Sequence, residues 1–294
     1  MSNTTQLGLD ALLALLEKDR DIKSVKKRRF QGTFKNDVYL AVGNSIAAGK
    51  RGDDVLSGKD GNDRLSGDGG NDLLFGGNGF DVLSGGNNQD MLFGNASDDQ
   101  MDGGNGSDML DGGIGVDTLI GGGGNDQLVG GDGIDTLTGG TDRDQFIFNG
   151  NVFANGTPAL AGQTGIKALN QPDIITDYTI GEDQFLFDKA NLNNMVFQKG
   201  NAAEIASDAN VIVLLDAFPA AGAAARAIAN NANIQADEGV FVYFNSTLGL
   251  SRVVHSKDLG DGGNISVLAN LSSQRGAAGL ANMANFSAAD FGLS

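Results

Sequence analysis

The chain of 294 residues has no cysteine and a single histidine, His255. Without cysteine there is neither a disulfide framework nor a thiolate metal site. One histidine excludes a His-rich zinc site and leaves little room for imidazole acid–base catalysis. Positive charge is scarce as well. Twenty Lys and Arg stand against thirty-seven Asp and Glu, a formal net charge of −17. That balance argues against a nucleic-acid partner, because phosphate recognition needs a basic face. No apolar run approaches the length of a membrane span, Val211–Leu215 being only five residues, so no membrane insertion is expected. There is no H-E-x-x-H and no G-x-S-x-G segment, which removes a zinc protease and a serine lipase from consideration. A cleaved secretory leader is not expected either. Asp10 interrupts the first apolar stretch, and the positive charges follow it instead of preceding it.

What the chain does have is concentrated in its middle third. Residues 49–147 hold nineteen Asp, no Glu and 28 of the 46 glycines, with a net charge of −14. These 99 residues divide into eleven nonapeptides without an insertion. The first position is Gly in every repeat, from Gly49 to Gly139. The sixth is always Asp: Asp54, Asp63, Asp72, Asp81, Asp90, Asp99, Asp108, Asp117, Asp126, Asp135 and Asp144. The eighth is apolar throughout, Leu in nine repeats and Met101 or Phe146 in the other two. The fourth is Gly in eight repeats and Asn88, Ser97 or Asp142 in three. A fixed short period is the mark of a solenoid.

Each position has a physical role. Six Gly-rich residues are predicted to form a turn with positive φ, which Gly adopts without steric cost. The next three are predicted to form a short strand with its eighth-position side chain inward. Two nonapeptides then complete one coil, with one strand in each of two parallel sheets, and the sixth-position carboxylates form two columns. Carboxylates about 4.8 Å apart repel by roughly 0.9 kcal/mol in water and about 3.5 kcal/mol at an effective dielectric of 20. One inward Leu per repeat cannot offset that repulsion together with a backbone ordering cost of about 1–2 kcal/mol per residue. A hard cation between successive turns removes the difficulty. Ca²⁺ takes six to eight oxygens from carboxylates and carbonyls, whereas Mg²⁺ demands a small octahedron. Besides the eleven Asp, the candidate ligands are Gly67, Gly76, Gly85, Gly103, Gly112, Gly121, Gly130 and Gly139, with Asn78, Asn105 and Asp132. Eleven repeats allow about nine ions at most, fewer if the departures at Asn88 and Ser97, or Lys50 and Lys59 at the second position, weaken their neighbours.

The pattern G-G-x-G-x-D-x-L-x resembles the RTX, or hemolysin-type calcium-binding, nonapeptide. The resemblance implies an all-β-dominated fold built on a right-handed parallel β-roll with Ca²⁺ in its turns. Three segments are expected: 1–48 as a helical cap, 49–147 as the roll, and 148–294 as a β-rich cap with one or more short helices. Leu9, Leu12, Leu13 and Leu16 have helical spacing and precede a basic run, Lys23 to Arg29. That segment caps the roll or meets an anionic surface. Gly32–Tyr39 reads as a degraded repeat, one residue out of phase, that starts the roll.

After the array, Asp173-Ile-Ile-Thr-Asp177-Tyr178 and Gly181-Glu-Asp183-Gln-Phe185 resemble the segment that closes the roll of serralysin-type proteases. Asp173, Asp177 and Asp183 finish a last calcium site or serve as turn carboxylates. A helix is predicted near 219–233 and a hairpin over 240–255. The tail, Asn285 to Ser294 with Asp290-Phe291, resembles the uncleaved C-terminal signal of type I secretion substrates; a final strand is the other reading.

The expected function is therefore a secreted, non-enzymatic, calcium-dependent protein of a cell surface or matrix, passed through type I secretion machinery. Homo-assembly is its expected mode of action. The alternative is an adhesin-like module that holds surface polysaccharide. An enzyme of unrecognised type has no residue constellation in the sequence to carry it.

Overall fold

The computed structural model describes residues 29–41, 43–149, 159–160, 172–188, 195–205, 209–229, 239–256 and 264–293. The expected helix around Leu9–Leu16 and the basic run up to Arg28 lie outside the described residues. The chain forms two compact units, Met1–Gly131 and Asp132–Ser294.

In the first unit, alternate strands belong to alternate sheets. Arg29–Gln31, Ile46–Ala48, Arg64–Gly69, Val82–Asn87, Gln100–Asn105 and Thr118–Gly123 make the first sheet. Val38–Leu40, Val55–Asp60, Leu73–Asn78, Met91–Ala96, Met109–Gly115 and Gln127–Gly133 make the second. The pairings are parallel from Arg29–Gln31 to Thr118–Gly123 in the first sheet and from Val38–Leu40 to Met109–Gly115 in the second. Leu65 faces Leu83 and Leu83 faces Met101 in one sheet; Leu74 faces Leu92 and Leu92 faces Leu110 in the other. These eighth-position side chains are buried between the sheets. The all-β roll expected from the nonapeptide is thus the fold of the chain.

The strands are longer than the three residues expected. Within the repeat array of this unit they run from the seventh position through the third position of the next repeat, six or seven residues in all. The reason lies in the backbone. An identical strand one coil away pairs the N–H and C=O groups of the glycines, so the ladder continues past the apolar residue. The bend is made inside the strand, where the second position takes positive φ, as at Gly77 (117°) and Gly86 (116°). Positions four to six are left for the turn.

The roll begins earlier than the array. The rung at 32–40 lies seventeen residues before its neighbour, with Tyr39 opposite Leu56, in agreement with the out-of-phase repeat. A second rung at 40–48 is not visible in the Asp–Leu pattern. It has Gly43 (φ 67°) at the fourth position, Ser45 at the sixth and buried Ala47 at the eighth.

In the second unit, Thr136–Thr141 pairs in parallel with Asp173–Ile175, which pairs in parallel with Asn264–Arg275. The sheet then turns antiparallel through Leu250–Ser256 and Gly239–Asn245, the expected hairpin, and continues with Val211–Phe218 and Phe197–Gly200. The helix Ala221–Ala229 packs Ala224, Ala225 and Ile228 against Ile212, Phe241 and Val254. His255 is a buried strand residue. A smaller sheet pairs Gln145–Phe148 with Gln184–Phe187 and that strand with Phe291–Leu293, all parallel. The tail is therefore the last rung of this sheet.

Candidate metal centre

All eleven sixth-position Asp residues are buried, none more than 2% exposed. Each stands just before its strand, where the turn delivers the chain into the sheet. The arrangement is uniform. The backbone N–H of Asp54 donates to Oδ1 of Asp72, eighteen residues on, at 2.7 Å, and Asp63 donates likewise to Asp81. The same bond joins Asp72 to Asp90, Asp81 to Asp99, Asp90 to Asp108, Asp99 to Asp117 and Asp108 to Asp126. At the start of the roll, Asp37 and Ser45 donate to Asp54 and Asp63. Each carboxylate thus holds the neighbouring coil in register through one oxygen.

The other oxygen is left over. Oδ2 of Asp54, Asp63, Asp72, Asp81, Asp90, Asp99 and Asp108 is buried and has no hydrogen-bond partner. Leaving a buried acceptor unmet costs about 1–3 kcal/mol each, more when it is charged. The first-position glycine explains where this oxygen points. A Cβ on Gly103 would lie 2.6 Å from Oδ2 of Asp108 and 2.7 Å from the carbonyl oxygen of Gly121. Gly85, Gly94 and Gly112 stand in the same relation to Asp90, Asp99 and Asp117 and to the carbonyls of Gly103, Gly112 and Gly130. Glycine is needed at this position for space and not for φ; the second and fourth positions carry the positive φ. A carboxylate oxygen and a carbonyl oxygen from successive coils therefore converge on a gap that a side chain would fill.

Burial pushes these carboxyls upward. Asp72 rises to about 6, Asp54, Asp81 and Asp90 to about 7, and Asp99 to about 8. The backbone N–H bond works against the rise, and the like charges of Asp81 and Asp117 add to it at Asp99. A row of buried acceptors with no donor has two remedies, protons or cations. The donor set is oxygen alone, which suits a hard cation and offers zinc none of its nitrogen or sulfur ligands. Among the described residues no group of three or more His, Cys, Asp or Glu side chains gathers to hold a metal. Main-chain carbonyls must then supply the remainder, which calcium accepts.

A family model described as RTX calcium-binding nonapeptide repeat (4 copies) matches residues 48–83, 84–119 and 120–150, about a third of the chain. Residues 48–150 are RTX calcium-binding repeats. No curated relative matches the chain. The RTX array accounts for both halves of the geometry, the unmet Oδ2 column and the glycine gap beside it.

The other predicted residues fall in different places. The first-position glycines Gly67 to Gly139 lie against the Asp column, Gly67 beside Asp72, Gly76 beside Asp81 and Gly139 beside Asp144. The third-position side chains do not. Asn78 is exposed and donates from Nδ2 to Oδ1 of Asp60 at 2.8 Å, Asn105 donates to Asn87 at 3.2 Å, and Asp132 is exposed. The substituted turn positions still take the RTX conformation: Asn88 has φ 80°, Ser97 84°, Asp142 78°, Lys50 85° and Lys59 66°.

After the array, Asp173 and Asp183 occupy the sixth-position place. The N–H of Asp135 donates to Asp173 Oδ1 and that of Asp144 to Asp183 Oδ1, each at 3.0 Å. The spacing is 38 or 39 residues instead of 18, which hides them from a period search. Asp177 differs: its two oxygens accept the N–H groups of Gly139 and Gly140 at 2.9 and 2.8 Å.

A fifth-position ladder was also missed. Asn71 donates its N–H to the side chain of Asp53, and Gln89 donates to that of Asn71. The excess of Asn, Asp and Ser at this variable position is its sequence signal.

Proposed function

We propose that this chain is a calcium-dependent RTX β-roll protein that is exported by type I secretion, folds on extracellular Ca²⁺ and acts as a non-enzymatic structural or assembly protein of a cell surface or matrix. The observation that carries the reading is the column of buried, partnerless Oδ2 atoms from Asp54 to Asp108, each beside a first-position glycine and, from Asp63 to Asp108, beside a glycine carbonyl of the next coil. In this reading the sixth-position Asp carboxylates and the first-position glycine carbonyls hold Ca²⁺. Bound calcium supplies the positive charge that the column lacks. The chain's own residues do the remaining work. Asp Oδ1 fixes the register, the glycines keep the gap open, and the inward Leu side chains exclude water.

The dependence on medium follows from affinity. With Kd near 0.5 mM, in the range of extracellular calcium modules, 10 mM Ca²⁺ contributes about 1.8 kcal/mol per site, and micromolar Ca²⁺ contributes almost nothing. Such a chain stays loose in a low-calcium cytosol and folds after export. The secretion reading rests on the resemblance of the tail to type I signals; Asp290 and Phe291 are buried in the folded chain, so on this reading the pair is recognised before folding.

Analytical ultracentrifugation of the full chain over rising Ca²⁺ tests the proposal. Compaction followed by self-association is expected. A chain that compacts but stays strictly monomeric at every concentration contradicts the assembly role.

A further inference from the structure

The two edges of the roll in the first unit carry different side chains. Where the turns lead into the second sheet, the fifth positions are Asp53, Asn71, Gln89, Ser107 and Asn125. All are polar and can accept a backbone N–H of the next coil, as Asn71 does from Gln89 and Ser107 from Asn125. At the other edge the same column runs Asn62, Phe80, Asp98 and Val116. The N–H groups of Phe80 and Val116 donate to Asn62 and Asp98, but their own side chains offer the coil beyond no acceptor. They give up part of the ladder and put apolar surface into solvent, Phe80 40% and Val116 54% exposed. Ile114 is 59% exposed and stands opposite Ala96 in the sheet. Phe80, Ile114 and Val116 thus lie within three coils, a length of about 10 Å at about 4.8 Å per coil. The exposed carboxylate of Asp98 sits in the middle coil.

A different surface opens the roll. Phe34, in the turn of the first rung, is 74% exposed, with Lys50 Nζ 5.9 Å and the Arg51 guanidinium 5.7 Å from its ring centroid. Lys35 is exposed next to it in the chain. Lys35, Lys50 and Arg51 have no carboxylate partner among the described residues. Lys50 holds φ 85° at a position where seven of the eleven repeats have Gly, so this cation is kept at a conformational cost. Past Arg64 the sequence has no Lys or Arg until Arg143. The turns of Phe34 and Arg51 lead into the second sheet, and those of Phe80 and Val116 into the first, so the two surfaces lie on opposite edges.

We propose that these surfaces are the two halves of one interface between copies of this chain. Phe34 with Lys35, Lys50 and Arg51 on one copy seats on the edge formed by Phe80, Asp98, Ile114 and Val116 of a second. The inference rests on the assembly role proposed above and names its contact. Charge complementarity selects the occupant. The ring meets apolar side chains while the three cations meet Asp98, which steers and fixes the pairing. An acidic polymer would satisfy the cations but not the apolar edge, which carries negative charge of its own. Because the halves lie on opposite edges, one copy does not satisfy both by itself. A contact between unlike surfaces leaves a free half at each end and propagates from copy to copy.

Substitutions that the roll accommodates make the test. One variant combines Phe34→Ser with Lys50→Gly, glycine taking the φ of 85° freely. The other combines Phe80→Asn with Val116→Asn, the residue already present in that column at Asn62. Circular dichroism in calcium should match the parent for both. In sedimentation velocity of the calcium-loaded full chain, each variant alone should self-associate about tenfold or more weakly than the parent. An equimolar mixture should form pairs and stop there, because each variant supplies the half that the other lacks. Asp98→Asn, which keeps the acceptor for Val116, should weaken association in the same direction. Variants that associate as the parent does overturn this interface and leave the assembly role standing, and so does an equimolar mixture that stays monomeric. Loss of retention on polygalacturonate by the Phe34 variant, with its self-association unchanged, likewise overturns it and gives the cations to a glycan. A parent that is monomeric at every concentration overturns the interface and the assembly role together.

Discussion

The backbone N–H of Asp72 donates to Oδ1 of Asp90 at 2.7 Å, and Oδ2 of that same Asp90 is buried without a partner. One carboxylate thus does two things. It locks one coil to the next, and it carries an unmet charge into the interior. The first use is complete within the protein, and the second calls for a cation.

Asp81→Asn separates the two uses. The amide keeps an acceptor for the N–H of Asp63 but loses the charge. The variant should bind one or two fewer Ca²⁺ and be less stable than the parent in calcium. In chelator the order should reverse, because a neutral group is buried in place of a charged one. Native mass spectrometry and denaturant titrations with and without calcium read both effects.

Gly103→Ala places a methyl between Asp108 Oδ2 and the carbonyl of Gly121. Overpacking of this kind costs about 1–3 kcal/mol, and here it also fills the gap assigned to the ion. Calcium affinity should fall with stability. Gly276→Ala is the control: its φ is 62° with open space around it, so it should lose stability without loss of calcium.

Ser97→Gly and Lys59→Gly should stabilise the roll by about 1 kcal/mol each, since both residues hold a left-handed conformation that glycine takes freely. Thermal melts at saturating calcium check this.

Acid should replace calcium in part. The folded pKa values of about 6 to 8 lie above the ordinary 3.8. Between those limits the metal-free folded roll binds more protons than the unfolded chain, so its stability falls as pH rises through the window. In chelator the roll should be more folded at pH 5 than at pH 8. Calcium affinity should run the other way, because binding displaces protons.

Phe291→Ala should cost about 3–5 kcal/mol in the second unit, the usual loss for a buried aromatic ring. Phe291 is 4% exposed and packs 5.9 Å from Phe185 and 6.1 Å from Phe286. Asp290, also buried, accepts the N–H of Gly181. A melt unchanged by the substitution would mean that the tail is not part of the folded sheet.

The sequence announced the roll because solenoid contacts repeat with the chain: Leu74, Leu92 and Leu110 meet at a fixed separation, so a period in sequence is a contact in space. The hairpin at 239–256 and the helix at 221–229 were legible for local reasons, alternation and an alanine run. Strand length was not, since pairing between coils carries the ladder through glycines that have no strand propensity of their own. Ser45 and Ala47 were missed because a rung can keep its backbone hydrogen bonds while losing its carboxylate. Asp173 and Asp183 were seen as carboxylates, but an insertion of some twenty residues hid their place in the column.

Far-UV circular dichroism of the full chain, begun in chelator near neutral pH and titrated with CaCl₂, decides whether calcium makes the roll. Little β signal in chelator and a cooperative gain near about 0.1–1 mM free Ca²⁺ is the expected result. A full β signal in chelator that calcium leaves unchanged would contradict it.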